Sequence, residues 1–173
     1  RAVARRRLIF EELFFLSAGL TLLRGRRTDA AGPRCASAGL EAYCRTLPFT
    51  PTGDQRRAME EAARDMTSGG QMNRLIQGDV GSGKTVVAAA CAWLAAQSGW
   101  QSALMAPTEI LAEQHARTLA PLLAQSGLRV GLLTAGVKGK ARKEVLAALA
   151  AGDIHLLVGT HALLTQEVAF ARL

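Results

Sequence analysis

Cysteine is scarce: Cys35, Cys44 and Cys91 are odd in number and show neither a Cys-x-x-Cys nor a Cys/His spacing. That pattern excludes a zinc site of the usual kind and gives no disulfide framework, so reduced thiols in a cytosol-like compartment are expected. Cys91 lies in an alanine-rich helical stretch, where a small buried thiol is the expected form. A long apolar run is also missing. Leu13 to Leu23, flanked by Arg5–Arg7 and by Arg24, Arg26 and Arg27, superficially resembles a signal peptide. It is about half the roughly 20 residues that cross a bilayer. Glu11 and Glu12 stand at its entrance, and Arg24-Gly25-Arg26-Arg27 replaces a small-residue cleavage site. No membrane partner is expected. Acidic residues are in deficit, 14 against 21 basic, and the net charge is +7. Most of the basic residues are arginines, whose planar fork suits phosphate groups, so a polyanionic partner fits. Because the charge is spread along the chain, it supports that reading without establishing it. No internal repeat or low-complexity tract is evident beyond alanine enrichment.

What is present is a chain of 173 residues, 49% hydrophobic and 20% charged, long enough for one α/β domain with a sizeable core. It begins with Arg1 and stops at Leu173 directly after an apolar run, and it reads as a piece of a longer protein. Val3 to Leu23 has no proline and a single glycine, Gly19, and predicts a helix apolar on so many faces that burial against other parts of a longer protein is expected. Gly25 to Ala38, rich in Gly, Pro, Asp, Ser and Thr, reads as a linker. Leu40 to Leu47 predicts a short helix, and Pro48 with Pro51 marks an extended turn before a helix from Gly53 to about Met66.

From there short β-like runs alternate with helices. Strands are predicted at Met72–Gln77, Gln101–Ala106, Arg129–Thr134 and Ile154–Val158, and helices at Lys84–Ser98, Ile110–Leu123 and Lys140–Ala151. Gly99 and Gly152 stop the first and last of these helices. Four strands separated by helices imply crossovers and a parallel sheet covered on both faces.

Gly78-Asp79-Val80-Gly81-Ser82-Gly83-Lys84-Thr85 matches a P-loop. It falls between the first predicted strand and its helix, where ligands of open parallel sheets bind. The glycines let successive N–H groups point inward, and the helix N-terminus adds positive potential for phosphates. Lys84 is expected to reach the β- and γ-phosphates and the Thr85 hydroxyl to take a magnesium position, so ATP or a close relative with Mg2+ is the expected ligand.

The other strand ends carry Pro107-Thr108-Glu109-Ile110-Leu111 and Gly159-Thr160-His161-Ala162-Leu163-Leu164. Phe49-Thr50-Pro51-Thr52-Gly53-Asp54-Gln55 stands upstream of the loop, and Lys138-Gly139-Lys140-Ala141-Arg142 follows the third predicted strand. In order and spacing these resemble the superfamily 2 helicase and translocase motors, and closely the bacterial branch-migrating RecG family. The pattern of the related transcription-repair coupling translocases differs after the P-loop lysine and around the Pro-Thr motif.

The resemblance implies a RecA-like P-loop NTPase lobe preceded by a long helix. Residues 1–27 correspond to a helix leading to a wedge domain, 28–48 to a linker, and 49–173 to a partial ATP-binding lobe. It implies that Gln55 reads adenine, and Phe49 could stack on the base. It assigns DNA-backbone contacts to Pro107, Thr108, Gly159, Thr160 and His161. Small polar residues at loop ends suit contacts of that kind, which carry no sequence information. Lys138, Lys140, Arg142 and Lys143 are a basic cluster for which phosphate contact is the expectation. The family's Asp-Glu pair, which holds magnesium and activates water, has no counterpart in these 173 residues. A second motor lobe with its arginine finger, and the wedge, would be further parts of a parent chain. The piece alone is expected not to hydrolyse ATP; the parent is expected to be a monomeric, cytoplasmic bacterial helicase acting on branched DNA. Two other readings stay open: a P-loop kinase of small molecules, and a nucleotide-gated DNA-binding module without catalysis.

Overall fold

The computed structural model describes residues 2–27, 32–36 and 39–173. Helix α1, Ala2–Arg27, spans the predicted helix and runs past it at both ends. Leu8, Phe10, Leu13, Phe15 and Leu22 are 61–73% exposed, so no described residue of this chain covers the faces for which burial against other parts of a longer protein is expected. Backbone hydrogen bonds and the one-turn Arg7–Glu11 pair at 2.9 Å hold it as a helix. Among the described residues, no helix is long and apolar enough to cross a membrane.

Residues 28–31 and 37–38 of the expected linker lie outside the described residues. Residues 32–36 between them are docked. The Gly32 and Cys35 N–H groups donate to the Gly69 and Met66 carbonyls at 3.2 and 3.0 Å, and the Ala36 N–H donates to Ser98 Oγ at 2.9 Å. Helix α2, Leu40–Thr46, buries Tyr43 and Cys44. The Tyr43 ring lies 5.6 Å from Trp93, and among the described residues its buried hydroxyl has no hydrogen-bond partner. Burial pushes the Cys91 thiol up to about 11, which matches the inert thiol expected there. All three cysteines are free.

Helix α3, Gly53–Ser68, begins at a capping box formed by Thr52 and Gln55 and ends at Gly69 with φ +86°. Helix α4, Lys84–Gln97, is apolar over most of its surface and lies in the main core. Strand β1 (Ser102–Met105), helix α5 (Glu109–Ala124), strand β2 (Val130–Leu133), helix α6 (Gly139–Ala150), strand β3 (Leu156–Gly159) and a 3-10 turn at His161–Leu164 complete the order. The sheet is parallel with order β1-β3-β2, and Met105, Gly159 and Leu133 are aligned across it. Every residue of β3 is buried, as a central strand covered on both faces requires. Leu156 and Val158 belong to the main core with residues of α3, α4 and α5, while Leu157 belongs to a second cluster with residues of α6 and the 165–170 segment.

The predicted first strand, Met72–Gln77, is corrected. A strand exists through a neighbour that takes its N–H and C=O groups. Among the described residues, Gln71 to Gln77 make no backbone hydrogen bond, and Leu75 is 87% exposed. The sheet therefore has three strands here, not the four expected.

At the amino end of the sheet, buried Gln101 acts as a polar pin with both amide N–H groups used. Its Nε2 donates to the Leu149 and Ile154 carbonyls at 2.9 and 2.7 Å, and its Oε1 accepts from the Arg172 N–H at 3.0 Å. Each contact satisfies a backbone group that burial would otherwise leave costly.

Candidate functional site

The loop from Gly78 to Thr85 follows the 71–77 segment, which lies outside the three-stranded sheet, and runs directly into α4. Gly81 and Gly83 have φ of +83° and +80°, the left-handed region that a glycine occupies without strain. A Cβ at Gly78 would come within 2.7 Å of Ser82 Oγ, so the loop also closes on itself too tightly for a side chain there. Lys84 Nζ donates to the Gly78 and Asp79 carbonyls at 2.7 and 2.8 Å, bringing its ammonium into the concave side of the loop. Gly83 caps α4 with no side-chain acceptor, and while the Val86 N–H donates to the Gly83 carbonyl at 2.9 Å, the Lys84 and Thr85 N–H groups are left for an anion. Val80 is fully exposed at the tip, and Thr85 is half-buried in the first turn. This donor set fits a polyphosphate: N–H groups, a helix N-terminus and one ammonium converge. Beside them, the Thr85 hydroxyl is the residue that would hold magnesium.

Gln55 is joined to this loop. Its Oε1 accepts from the Thr52 N–H at 3.0 Å, and its Nε2 donates to the Ser82 carbonyl at 2.8 Å. A carboxamide has two N–H groups and two main lone-pair directions, so one donor and one acceptor remain for an adenine edge. A Cβ on Gly83 would collide with the Gln55 amide, which shows how closely the two elements approach. Thr52, Asp54, Gln55, Ile76, Gly78 and Lys84 are among the residues lining a cleft of about 480 Å³ between α3 and the loop. Phe49 is 42% exposed and lines a separate cleft of about 420 Å³ with Glu41, Arg45 and Arg56. The structure thus brings Gln55 to the phosphate loop and leaves Phe49 outside that cleft. Thr52 was absent from the expected site; its signal was the Thr-x-x-Gln capping spacing.

The remaining candidates sit past the carboxyl ends of the aligned strands. Pro107 and Thr108 follow β1, and Thr108 Oγ1 caps α5 by accepting from the Leu111 N–H at 3.3 Å. The Glu109 carboxylate lies close to Gly136 of the loop after β2. Thr160 is half-buried and His161 exposed after β3. Gly159 differs: it is buried, its carbonyl accepts from the Ala106 N–H at 2.8 Å, and a Cβ there would collide with the Leu133 carbonyl. Its glycine is explained by sheet packing. In the basic cluster, Lys138 is exposed at the start of α6, and Lys140 is highly exposed, 3.8 Å from Glu144. Arg142 is drawn away: it pairs with Glu167 at 3.1 Å and its side chain is 24% exposed. A partner 25 positions along the chain is invisible to local sequence reading.

Residues 52–172 match the DEAD/DEAH box helicase family model. The chain belongs to that family. Over 99% of its length this helicase-family chain is 48% identical to the ATP-dependent DNA helicase RecG of Bacillus subtilis (strain 168), and it covers 26% of that protein. Its identity to the Escherichia coli (strain K12) RecG is 47% over 96% of the chain, covering 24% of the relative. The chain therefore spans about a quarter of the length of these curated relatives. Among solved structures it is similar to RecG bound to a three-way DNA junction, with TM-score 0.84 and 39% identity over 96% of the chain and 23% of that structure. The motif-based resemblance to RecG is thus supported across nearly the whole chain, and so is the α/β lobe with its preceding helix.

Proposed function

We propose that this chain is the ATP-binding part of an ATP-dependent DNA helicase or translocase that acts on branched DNA. The observation that carries the reading is the union of a free helix N-terminus, Lys84 and Gln55 around one cleft. In this reading the N–H groups of Gly81, Gly83, Lys84 and Thr85 grip the phosphates, and Lys84 exchanges its carbonyl contacts for stronger charge-assisted ones. Gln55 presents its remaining donor and acceptor to adenine, so ATP is preferred to GTP. Magnesium, held through Thr85 when bound, supplies neutralisation of phosphate charge. Phe49 reaches the base from its neighbouring cleft.

Pro107, Thr108, Thr160 and His161 lie along the carboxyl edge of the sheet with Lys138 and Lys140 beside them, a row suited to a DNA backbone. Arg142 joins that row if phosphate displaces Glu167. The parent supplies the Asp-Glu pair, the second lobe with its arginine finger and a DNA-gripping wedge, and works as a monomer in the bacterial cytoplasm. The isolated 173-residue chain binds nucleotide weakly and does not turn it over.

Phosphate release tests this reading. The full-length protein is expected to hydrolyse ATP faster when forked DNA is added, and the isolated chain to stay at background with or without DNA. Turnover by the isolated chain, or a full-length ATPase indifferent to DNA, would contradict it. The DNA-facing row has its own test. Changing Lys138 and Lys140 together to Glu should weaken binding of the full-length protein to forked DNA and lower the salt slope of binding by roughly two. An unchanged slope would remove these lysines from the interface.

A further inference from the structure

The approach to the phosphate loop is held by few contacts. Among the described residues, Gln71 to Gln77 make no backbone hydrogen bond, and of their apolar side chains Ile76 alone packs on the main core. The other anchor is Arg74. Its Nη1 meets Glu61 Oε2 at 2.5 Å and its Nε meets Asp65 Oδ2 at 2.8 Å. Glu61 and Asp65 are one turn apart on α3, so both carboxylates share a face, and a guanidinium can serve them from separate nitrogens. The three side chains are 32%, 37% and 35% exposed, which shields the network more than the surface pairs Arg7–Glu11 and Arg117–Glu113. Those surface pairs join positions within one helix; Arg74 joins two different segments. Hydrogen bonding from Arg74 also holds the Asp65 carboxyl below its ordinary range.

Helix α3 therefore touches the phosphate loop region at two places. Near its end, Glu61 and Asp65 hold the approach through Arg74; at its start, Gln55 holds the loop at the Ser82 carbonyl. Between these points the chain passes through the exposed residues Leu75 and Val80. If the approach slides along α3, the glycine loop shifts relative to Gln55.

We propose that Arg74, held by Glu61 and Asp65, is a positioning residue for nucleotide binding that keeps the phosphate loop in register with α3. The proposal rests on the reading of Gly78–Thr85 as an ATP site. Arg74 acts through the 75–77 segment and touches no nucleotide.

The test is titration of the full-length protein with fluorescent ADP and magnesium, alongside steady-state ATP hydrolysis. Arg74→Ala should raise the dissociation constant and KM about tenfold with kcat little changed, because misplacement of the loop acts on binding. Glu61→Gln with Asp65→Asn, which keeps the shapes and removes the charges, should do the same. Combining all three substitutions should be no worse than either set, and Arg74→Lys should recover part of the affinity. Should Arg74→Ala fail to fold, the Gln/Asn pair carries the same expectation. Unchanged affinity in the Gln/Asn pair, or effects that multiply in the combination, would overturn the proposal. Lys84→Ala serves as the control: weak binding by Lys84→Ala with full-strength binding by Arg74→Ala and by the Gln/Asn pair overturns the clamp alone. Full-strength binding by Lys84→Ala overturns the site reading and the clamp with it.

Discussion

Lys84→Ala in the full-length protein is expected to lower DNA-stimulated ATP hydrolysis by at least about a hundredfold, the scale at which removal of one aimed charge acts on a transition state. Lys84 is the one cation whose ammonium is folded into the phosphate loop, bonded to the Gly78 and Asp79 carbonyls. The helix N-terminus and the loop amides remain after the substitution, so weak nucleotide binding should survive while turnover is lost. Stability should change little, since the side chain is exposed and buries no core. Phosphate release with forked DNA, compared at matched urea midpoints, checks this. A variant that folds and hydrolyses ATP at the native rate would remove Lys84 from the chemistry.

Gly159→Ala is expected to destabilise the lobe by about 3 kcal/mol or more, at the upper end of overpacking effects. The added methyl would meet the carbonyl of Leu133 on the paired strand and the Leu163 side chain. A backbone carbonyl inside a three-stranded sheet has no room to yield without moving β2 away from β3. Urea unfolding of the native and substituted chains reads the cost. If Gly159 were instead needed only for contact with DNA, stability would hold and affinity for forked DNA would fall.

These two positions show what could be read from the chain and what could not. The phosphate loop was legible because its glycines, lysine and threonine are consecutive, and their chemistry needs no partner from elsewhere. The helices from α3 onward were legible to within two residues because period, caps and glycine stops are local. The Thr52-x-x-Gln55 capping spacing is local, although the reach of Gln55 to Ser82 needed the fold. Met72–Gln77 misled because its apolar character satisfies a strand pattern, whereas a strand is a property of pairs of segments. Helix α1 was legible as a helix, but its apolarity states a preference for cover and names nothing that provides it. Gly159 and Arg142 were read by motif, yet their surroundings, the Leu133 carbonyl and Glu167, lie 26 and 25 positions away. Long-range contacts of this kind leave no local mark.

The central claim is that ATP lies in the cleft between α3 and the Gly78–Thr85 loop with adenine near Gln55. Photo-crosslinking of the full-length protein with 8-azido-ATP, followed by peptide mapping, tests it most directly. The account predicts labelling within residues 49–57, suppressed by excess ATP, persisting with excess GTP and much reduced in Lys84→Ala. Labelling confined to other peptides, or suppressed equally by GTP, would contradict it.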